Sequence, residues 1–212
     1  MKKALLVLAF AALCLLACRI DYSSVLGAPE QKFTLFQFIA PAAGGLFGAF
    51  AGGLAAASAL LADYALNGAT FEPLLFLRLA PAFLAAYYFG AKNKAVLLAP
   101  LLAILLFVSH PEGGQAWIYS LFWLVPFAAW RFKSNRLARA LGATFTAHAA
   151  GSVIFLYAFN IPARTWLALL PVTLAERLVF AGGIALSALA LDALASRLPR
   201  AWRLAQPGKA RQ

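Results

Sequence analysis

Long apolar runs alternate with short polar or basic tracts along the 212-residue chain. An apolar stretch at residues 1–18 and a polar stretch at 19–32 precede six runs, within residues 33–196, that are each apolar enough to form a helix in a bilayer. Residues 197–212 form a basic tail. The pattern predicts an all-α, polytopic integral membrane bundle of six core transmembrane helices, preceded by an N-terminal apolar segment and loop at residues 1–32.

The first core run, residues 33–63, is too long for one straight crossing. A helix of that length would span about 46 Å, whereas the hydrocarbon layer is about 30 Å thick. Pro41, followed by Gly44 and Gly45, is the predicted break, because proline removes a helical hydrogen bond and glycine weakens the helix. The run is therefore expected to tilt, kink or re-enter the membrane.

The same run carries a repeat of small residues. Gly44, Gly48 and Gly52 recur every four positions, a spacing that lets another helix backbone approach closely. Two interpretations stay open: the glycines pack against another helix of this chain, or they dock the helix of a partner subunit.

Residues 1–18 combine a basic start with a short apolar run, which is also the shape of a secretory signal. Cys18 ends this run at the place where a bacterial lipobox carries its lipidated cysteine. The alternatives are a cleaved or lipidated signal and an uncleaved first helix. Cys14 and Cys18 are the only cysteines, so the sequence predicts neither a disulfide framework nor a zinc site.

Composition supports the membrane assignment. Hydrophobic residues make up 64% of the chain and charged residues only 12%, whereas soluble domains have about 45–50% and about 25%. The net charge of +11 comes from basic tracts between the apolar runs, as the positive-inside rule expects, and does not predict nucleic-acid binding.

The basic tracts also predict the topology. The strongest tract contains Arg131, Lys133, Arg136 and Arg139, and placing it in the cytoplasm also places Lys92, Lys94 and the C-terminal tail there. The loops at 63–72, 110–112 and 160–164 then lie outside. The expected location is the cytoplasmic membrane, crossed several times, with the lipid bilayer as a partner.

The last two core helices carry ionisable groups near the middle of the membrane. Counted from the turn between them, His148, Glu176 and Arg177 lie at similar depth. Such groups are costly in a bilayer and are functional-site candidates by default. Thr144, His148 and Ser152 are spaced by four and share one helix face, and Arg78 is a further deep charge.

Three interpretations of this polar layer compete. It forms register-fixing pairs, or it is the floor of an outward-facing pocket for a small polar or anionic molecule, or His148 and Glu176 are an acid and base pair of a membrane enzyme. The candidate substrate-binding residues are His148, Glu176, Arg177, Arg78, Thr144, Ser152 and Trp117.

Catalysis has the least support among these interpretations. The chain contains no HExxH, GxSxG or P-loop motif and no pair of aspartates at metal spacing. His110 and His148 lie at different depths, which argues against a shared metal. No catalytic residue, metal or cofactor is predicted.

The stretch PAAGGLFGAFAGGLAAASALLAD at residues 41–63, followed by Asn67-Gly68 and set in a six-helix core, resembles the S-components of energy-coupling-factor transporters. That resemblance implies a membrane-embedded substrate-binding subunit for small-molecule uptake, which works with a transmembrane coupling subunit and cytoplasmic ATPases. The glycine grooves would then meet the coupling subunit. The main alternative is a structural or accessory subunit of a larger membrane complex.

Overall fold

The computed structural model describes residues 2–25, 28–70 and 72–197, and in these ranges the chain is almost entirely helical. The all-α prediction is therefore confirmed. The helices are α1 Lys2–Ala17, α2 Phe36–Ile39, α3 Ala42–Phe47, α4 Ala49–Leu66, α5 Pro73–Leu77, α6 Leu79–Gly90, the 3-10 helix Lys94–Leu97, α7 Leu98–Ser109, α8 Pro111–Gln115, the 3-10 helix Trp117–Leu124, α9 Val125–Arg131, α10 Arg136–Phe159, α11 Ala163–Ala168 and α12 Leu170–Arg197.

Within the described ranges, four helical stretches are long and apolar enough to cross a membrane: Ala49–Leu66, Pro73–Gly90, Arg136–Phe159 and Leu170–Arg197. The prediction of six core crossings is matched only in part. The apolar stretch at 94–109 is shorter, and the next predicted crossing is divided between a 3-10 helix and the seven-residue α9.

The outward surface of the bundle is apolar. Leucines project from α7 and α12 with about half of their surface exposed, among them Leu98, Leu102, Leu105, Leu178 and Leu189. A soluble protein rarely leaves so much contiguous apolar surface in water, whereas lipid covers it at no cost. The surface therefore agrees with a membrane-embedded protein.

Helix α10 lies at the centre of the bundle and packs against α6, α7, α9 and α12. Small residues on its inner faces allow close packing. A Cβ atom at Gly142 would lie 2.1 Å from the ring of Tyr88, and the Tyr88 hydroxyl donates a 2.6 Å hydrogen bond to the carbonyl of Pro126. Helices α6, α9 and α10 are thus held in one register.

The first core run is broken twice. The predicted break at Pro41 separates α2 from α3, and a second break lies at Gly48, whose φ of +92° favours glycine. The space beside Gly44 is filled by the backbone of α6 at Ala86, and the space beside Gly52 by the backbone of α3. Packing within the chain thus accounts for Gly44 and Gly52, while docking of a partner subunit at these glycines stays a prediction.

The polar stretch expected to be a loop contains a β-hairpin. Strand β1, Asp21–Val25, pairs antiparallel with β2, Ala28–Thr34. The end of β2 reaches the bundle, where the ring of Phe33 packs edge-on against Phe180 of α12 at 5.0 Å. The hairpin therefore forms one wall of the interior beside α12.

Two hydrogen bonds join four of the loops into two groups. The Lys133 ammonium donates a 3.0 Å hydrogen bond to the carbonyl of Lys92, which joins the two basic loops. The Glu112 carboxylate accepts a 2.7 Å bond from the backbone N–H of Ala163, which joins two loops that the sequence places on the opposite side. The basic tail at 198–212 lies outside the described residues.

Candidate functional site

A cavity of about 720 Å³ lies between β2, α2, α6, α10 and α12. Aliphatic and aromatic side chains make most of its wall, and a few polar groups converge on it. Six of the seven predicted binding residues line it, namely Arg78, Thr144, His148, Ser152, Glu176 and Arg177. The seventh, Trp117, is 55% exposed on the outside of the bundle and does not line the cavity.

Helix α10 contributes a polar stripe to the cavity wall. Thr144, His148 and Ser152 project from one face because their spacing of four residues is close to one helical turn. Thr144 and Ser152 are buried, whereas His148 keeps part of its surface in the cavity. The helical spacing thus positions three polar groups along the cavity.

Both ring nitrogens of His148 are hydrogen-bonded to other side chains. The indole N–H of Trp123 donates to His148 Nδ1 at 3.2 Å. His148 Nε2 lies 3.0 Å from the Tyr119 hydroxyl and 3.4 Å from Ser152 Oγ. The Tyr119 hydroxyl in turn lies 2.8 Å from Thr173 Oγ1. We call Trp123, His148, Tyr119 and Thr173 the relay.

The chemistry of Trp123 fixes the proton positions in the relay. An indole N–H can only donate, so His148 Nδ1 must be the accepting nitrogen and Nε2 must carry the proton of a neutral ring. His148 then donates to Tyr119, and Tyr119 donates to Thr173. A second proton on His148 would face the Trp123 N–H, so the neutral ring is the form that this geometry supports.

The relay does not extend to the carboxylate of Glu176. Among the described residues, Glu176 is paired with Arg177, and no hydrogen bond joins it to His148. A general base must offer a free lone pair to its substrate, and His148 already uses Nδ1 for Trp123. The geometry therefore gives no support to an acid and base pair of His148 and Glu176.

Arg177 lies beside two aromatic rings that contact each other. Its side chain is only 7% exposed, and its guanidinium carbon lies 4.4 Å from the ring centroid of Phe180 and 5.4 Å from that of Phe33. Its Nη2 contacts the Glu176 carboxylate at 3.3 Å, while its Nε is buried without a hydrogen-bond partner. Of the five N–H groups of this guanidinium, most make no hydrogen bond to the described residues.

Arg78, between α5 and α6, is a second cation in the wall. Its guanidinium carbon lies 5.5 Å from the ring centroid of Phe155, and its Nε is buried without a partner. In the described part of the chain it forms no ion pair. The sequence predicted Arg78 as a deep charge within a helix, but it could not show that Arg78 faces the same cavity as Arg177.

Several residues of the site were not among the predicted binding residues. Tyr119 and Trp123 lie in the aromatic run WIYSLFW, where periodicity does not tell which ring faces inward. Phe33 lies on the unpredicted hairpin. Thr173 shares a helix turn with Glu176 and Arg177, and that closeness was the one available signal for it.

The described residues contain no group of three or more His, Cys, Asp or Glu side chains that could hold a metal ion. The polar residues that line the cavity in the described part of the chain carry guanidinium, ammonium, hydroxyl and carboxamide groups, one carboxylate and one imidazole. Comparisons with protein-family models, with curated proteins and with solved structures found no match to this chain.

Proposed function

We propose that this protein is a membrane-embedded substrate-binding subunit that holds a small organic molecule in the cavity between β2, α6, α10 and α12. The observation that carries the proposal is the cavity itself. Its volume of about 720 Å³ lies within the range of about 300–1,000 Å³ that is typical of ligand sites. Its wall has the matching composition, largely apolar with a few convergent polar groups.

The uptake role rests on the resemblance of residues 41–63 to S-components and on the absence of an ATPase motif from the sequence. A binding subunit of this kind would take its energy from a transmembrane coupling subunit and cytoplasmic ATPases. The proposed location is the cytoplasmic membrane, with the basic end of the bundle and the C-terminus in the cytoplasm.

A structural or accessory role is the second candidate, and the relay favours it. Trp123, His148, Tyr119 and Thr173 satisfy one another across three helical elements, which is what register-fixing groups do. The relay alone would not require a ligand. A cavity of this volume beside it, with two guanidinium groups in its wall, favours binding as the main function.

Gly151 offers a way to fill the cavity without disturbing the backbone. It lines the cavity from α10, and a Cβ atom there would meet only Pro81, at an ordinary contact distance of 3.7 Å. The Gly151→Leu variant therefore places an isobutyl group in the cavity. Gly182→Leu is the matched control, because nothing lies within 4 Å of its Cβ position and it does not line the cavity.

Native mass spectrometry of the purified protein tests the proposal. We expect wild type and Gly182→Leu to carry a bound small molecule from the expressing cells, and Gly151→Leu to lose it while keeping its fold. A wild-type protein without any bound molecule, and with a fixed protein partner whose removal unfolds it, would instead support the accessory role. A molecule retained equally by Gly151→Leu would show that the cavity is not its site.

A further inference from the structure

We infer that the ligand of the cavity is an organic acid, whose anionic group binds at Arg177 and whose apolar body lies against the aromatic wall. This inference rests on the proposed binding function and adds the chemical class of the ligand. It follows from the charges in the wall, from the free N–H groups of Arg177, from the difference in position between Arg177 and Arg139, and from the apolar residues of the wall.

The wall carries excess positive charge. Among the described residues, its charged members are Lys32, Arg78, Glu176 and Arg177, and the Lys32 ammonium is paired with the Asp21 carboxylate at 2.6 Å. Two guanidinium groups then face one carboxylate, which leaves one positive charge uncompensated. Uncompensated charge is costly inside a membrane protein, and an anion in the cavity would remove that cost.

The orientation of Arg177 leaves an edge for an anion. Phe33 and Phe180 lie near the guanidinium carbon, and the N–H groups around the edge make only one hydrogen bond, to Glu176, within the described part of the chain. A guanidinium binds carboxylate and phosphate groups through such an edge, commonly with two parallel hydrogen bonds. Arg177 thus has the free donors that an acid group requires.

The position of Arg177 distinguishes it from Arg139, another arginine whose Nε is buried without a hydrogen-bond partner among the described residues. Arg139 also lies near an aromatic ring, 4.8 Å from the centroid of Phe89, and its Nε also lacks a partner. However, Arg139 belongs to the first turn of α10, at the basic end of the molecule, and does not line the cavity. Arg177 lies in the cavity beside the relay.

The rest of the wall indicates the body of the ligand. Phe36, Phe155 and Trp166 line the cavity together with the two rings near Arg177, and its aliphatic members include Leu60, Ile154 and Leu169. Aromatic and aliphatic groups favour a flat or chain-like apolar body. A water-borne aromatic acid and a fatty acid from the bilayer share this chemistry, so the test includes one of each.

The test compares probes that differ only in charge. The protein in lipid nanodiscs is titrated with 2-naphthoate, 2-naphthamide and 2-naphthylmethylamine, which share one ring system, and with palmitate and palmitamide; empty nanodiscs are the blank. We expect at least one acid to bind and its amide to bind more weakly, with the amine weakest. Binding of 2-naphthoate or of palmitate identifies the aqueous or the bilayer source.

Three variants assign the charge recognition to residues. Arg177→Gln should raise the Kd of the bound acid by about tenfold or more, because a charge-assisted hydrogen bond is lost. Glu176→Gln should lower that Kd, because it removes the carboxylate that competes with the acid for Arg177. If the ligand were a cation, the same variant would raise its Kd. Arg139→Gln is the matched control and should leave the Kd unchanged.

The outcomes separate this inference from the proposed function. Equal binding of acid and amide, or tighter binding of the amine, would overturn the assignment of an organic acid and leave the binding function in place. Binding of none of the five probes, together with no molecule co-purified with wild type, would overturn both. If Arg177→Gln fails to fold, the Kd of the acid for Glu176→Gln tests the inference alone. A Kd higher than that of wild type would contradict it.

Discussion

At the scale of single residues, the polar layer divides into two kinds of group. The relay side chains His148, Tyr119 and Thr173 satisfy one another, whereas Arg78 and Arg177 each have a buried Nε without a hydrogen-bond partner among the described residues. The first kind is suited to holding helices in place, whereas we propose that the guanidinium groups of the second kind bind a ligand. Sequence position could predict the depth of His148 and Arg177, but not this division, because it depends on how the helices are rotated.

The hydroxyl of Tyr119 is the centre of the relay, and its removal should be costly. In Tyr119→Phe, Thr173 Oγ1 loses the hydroxyl as a partner and His148 Nε2 keeps only the longer contact with Ser152 Oγ, so we expect the free energy of unfolding in mixed micelles to fall by about 1–2 kcal/mol. Tyr157→Phe is the control, since that hydroxyl bonds one carbonyl from a side chain that is 52% exposed. Equal losses in the two variants would contradict a structural role for the relay.

At the scale of elements, the sequence predicts the long helices well and the breaks in part. Apolar runs long enough to span a bilayer predicted α4, α10 and α12, and Pro41 predicted the first break; the structure contains all four features. The second break, at Gly48, was missed because its place in a regular glycine repeat favoured a helix groove. The β-hairpin was missed because residues 21–34 lack regular apolar alternation, which is the usual strand signal.

Close packing of α3 on α6 depends on Gly44. A Cβ atom at this position would lie 1.8 Å from the carbonyl oxygen of Ala86, so Gly44→Ala must push the two helices apart and should destabilise the protein by about 1–3 kcal/mol. Gly182→Ala, with nothing within 4 Å of the added atom, should be neutral or stabilising by up to about 1 kcal/mol. Thermal unfolding in detergent measures both, and a stable Gly44→Ala would contradict the packing described for these helices.

At the scale of the whole molecule, the exterior is apolar and two hydrogen bonds join four of the loops into two groups. The contact of Lys133 with the Lys92 carbonyl and that of Glu112 with the backbone of Ala163 group the loops as the charge pattern predicts. Which group faces the cytoplasm is proposed from the positive-inside rule. The sequence offered a pocket at the polar layer as one interpretation, but the rest of its wall could not be predicted, because it comes from segments as distant as Phe33 and Phe180.

Cysteine labelling tests the orientation. Gln115→Cys and Ser134→Cys place thiols in exposed positions of the two loop groups, and only Gln115→Cys should react with an impermeant maleimide on intact cells. The two native thiols should not react with the maleimide near pH 7. Cys14 is buried. Burial, with a smaller effect of the Asp63 carboxylate, raises the pKa of Cys18 to about 12, so little of its thiol is in the reactive thiolate form. Labelling of Gln115→Cys and Ser134→Cys from the same side would contradict the topology.

The central claim is that the cavity beside Arg177 binds an organic acid, and calorimetry in nanodiscs tests it most directly. The acid selected by the probe comparison is titrated into wild type and into Gly151→Leu, whose added side chain fills the cavity. The account predicts one molecule bound per wild-type chain and no binding heat from Gly151→Leu. Binding heat of the same size in both proteins, or none in wild type, would contradict it.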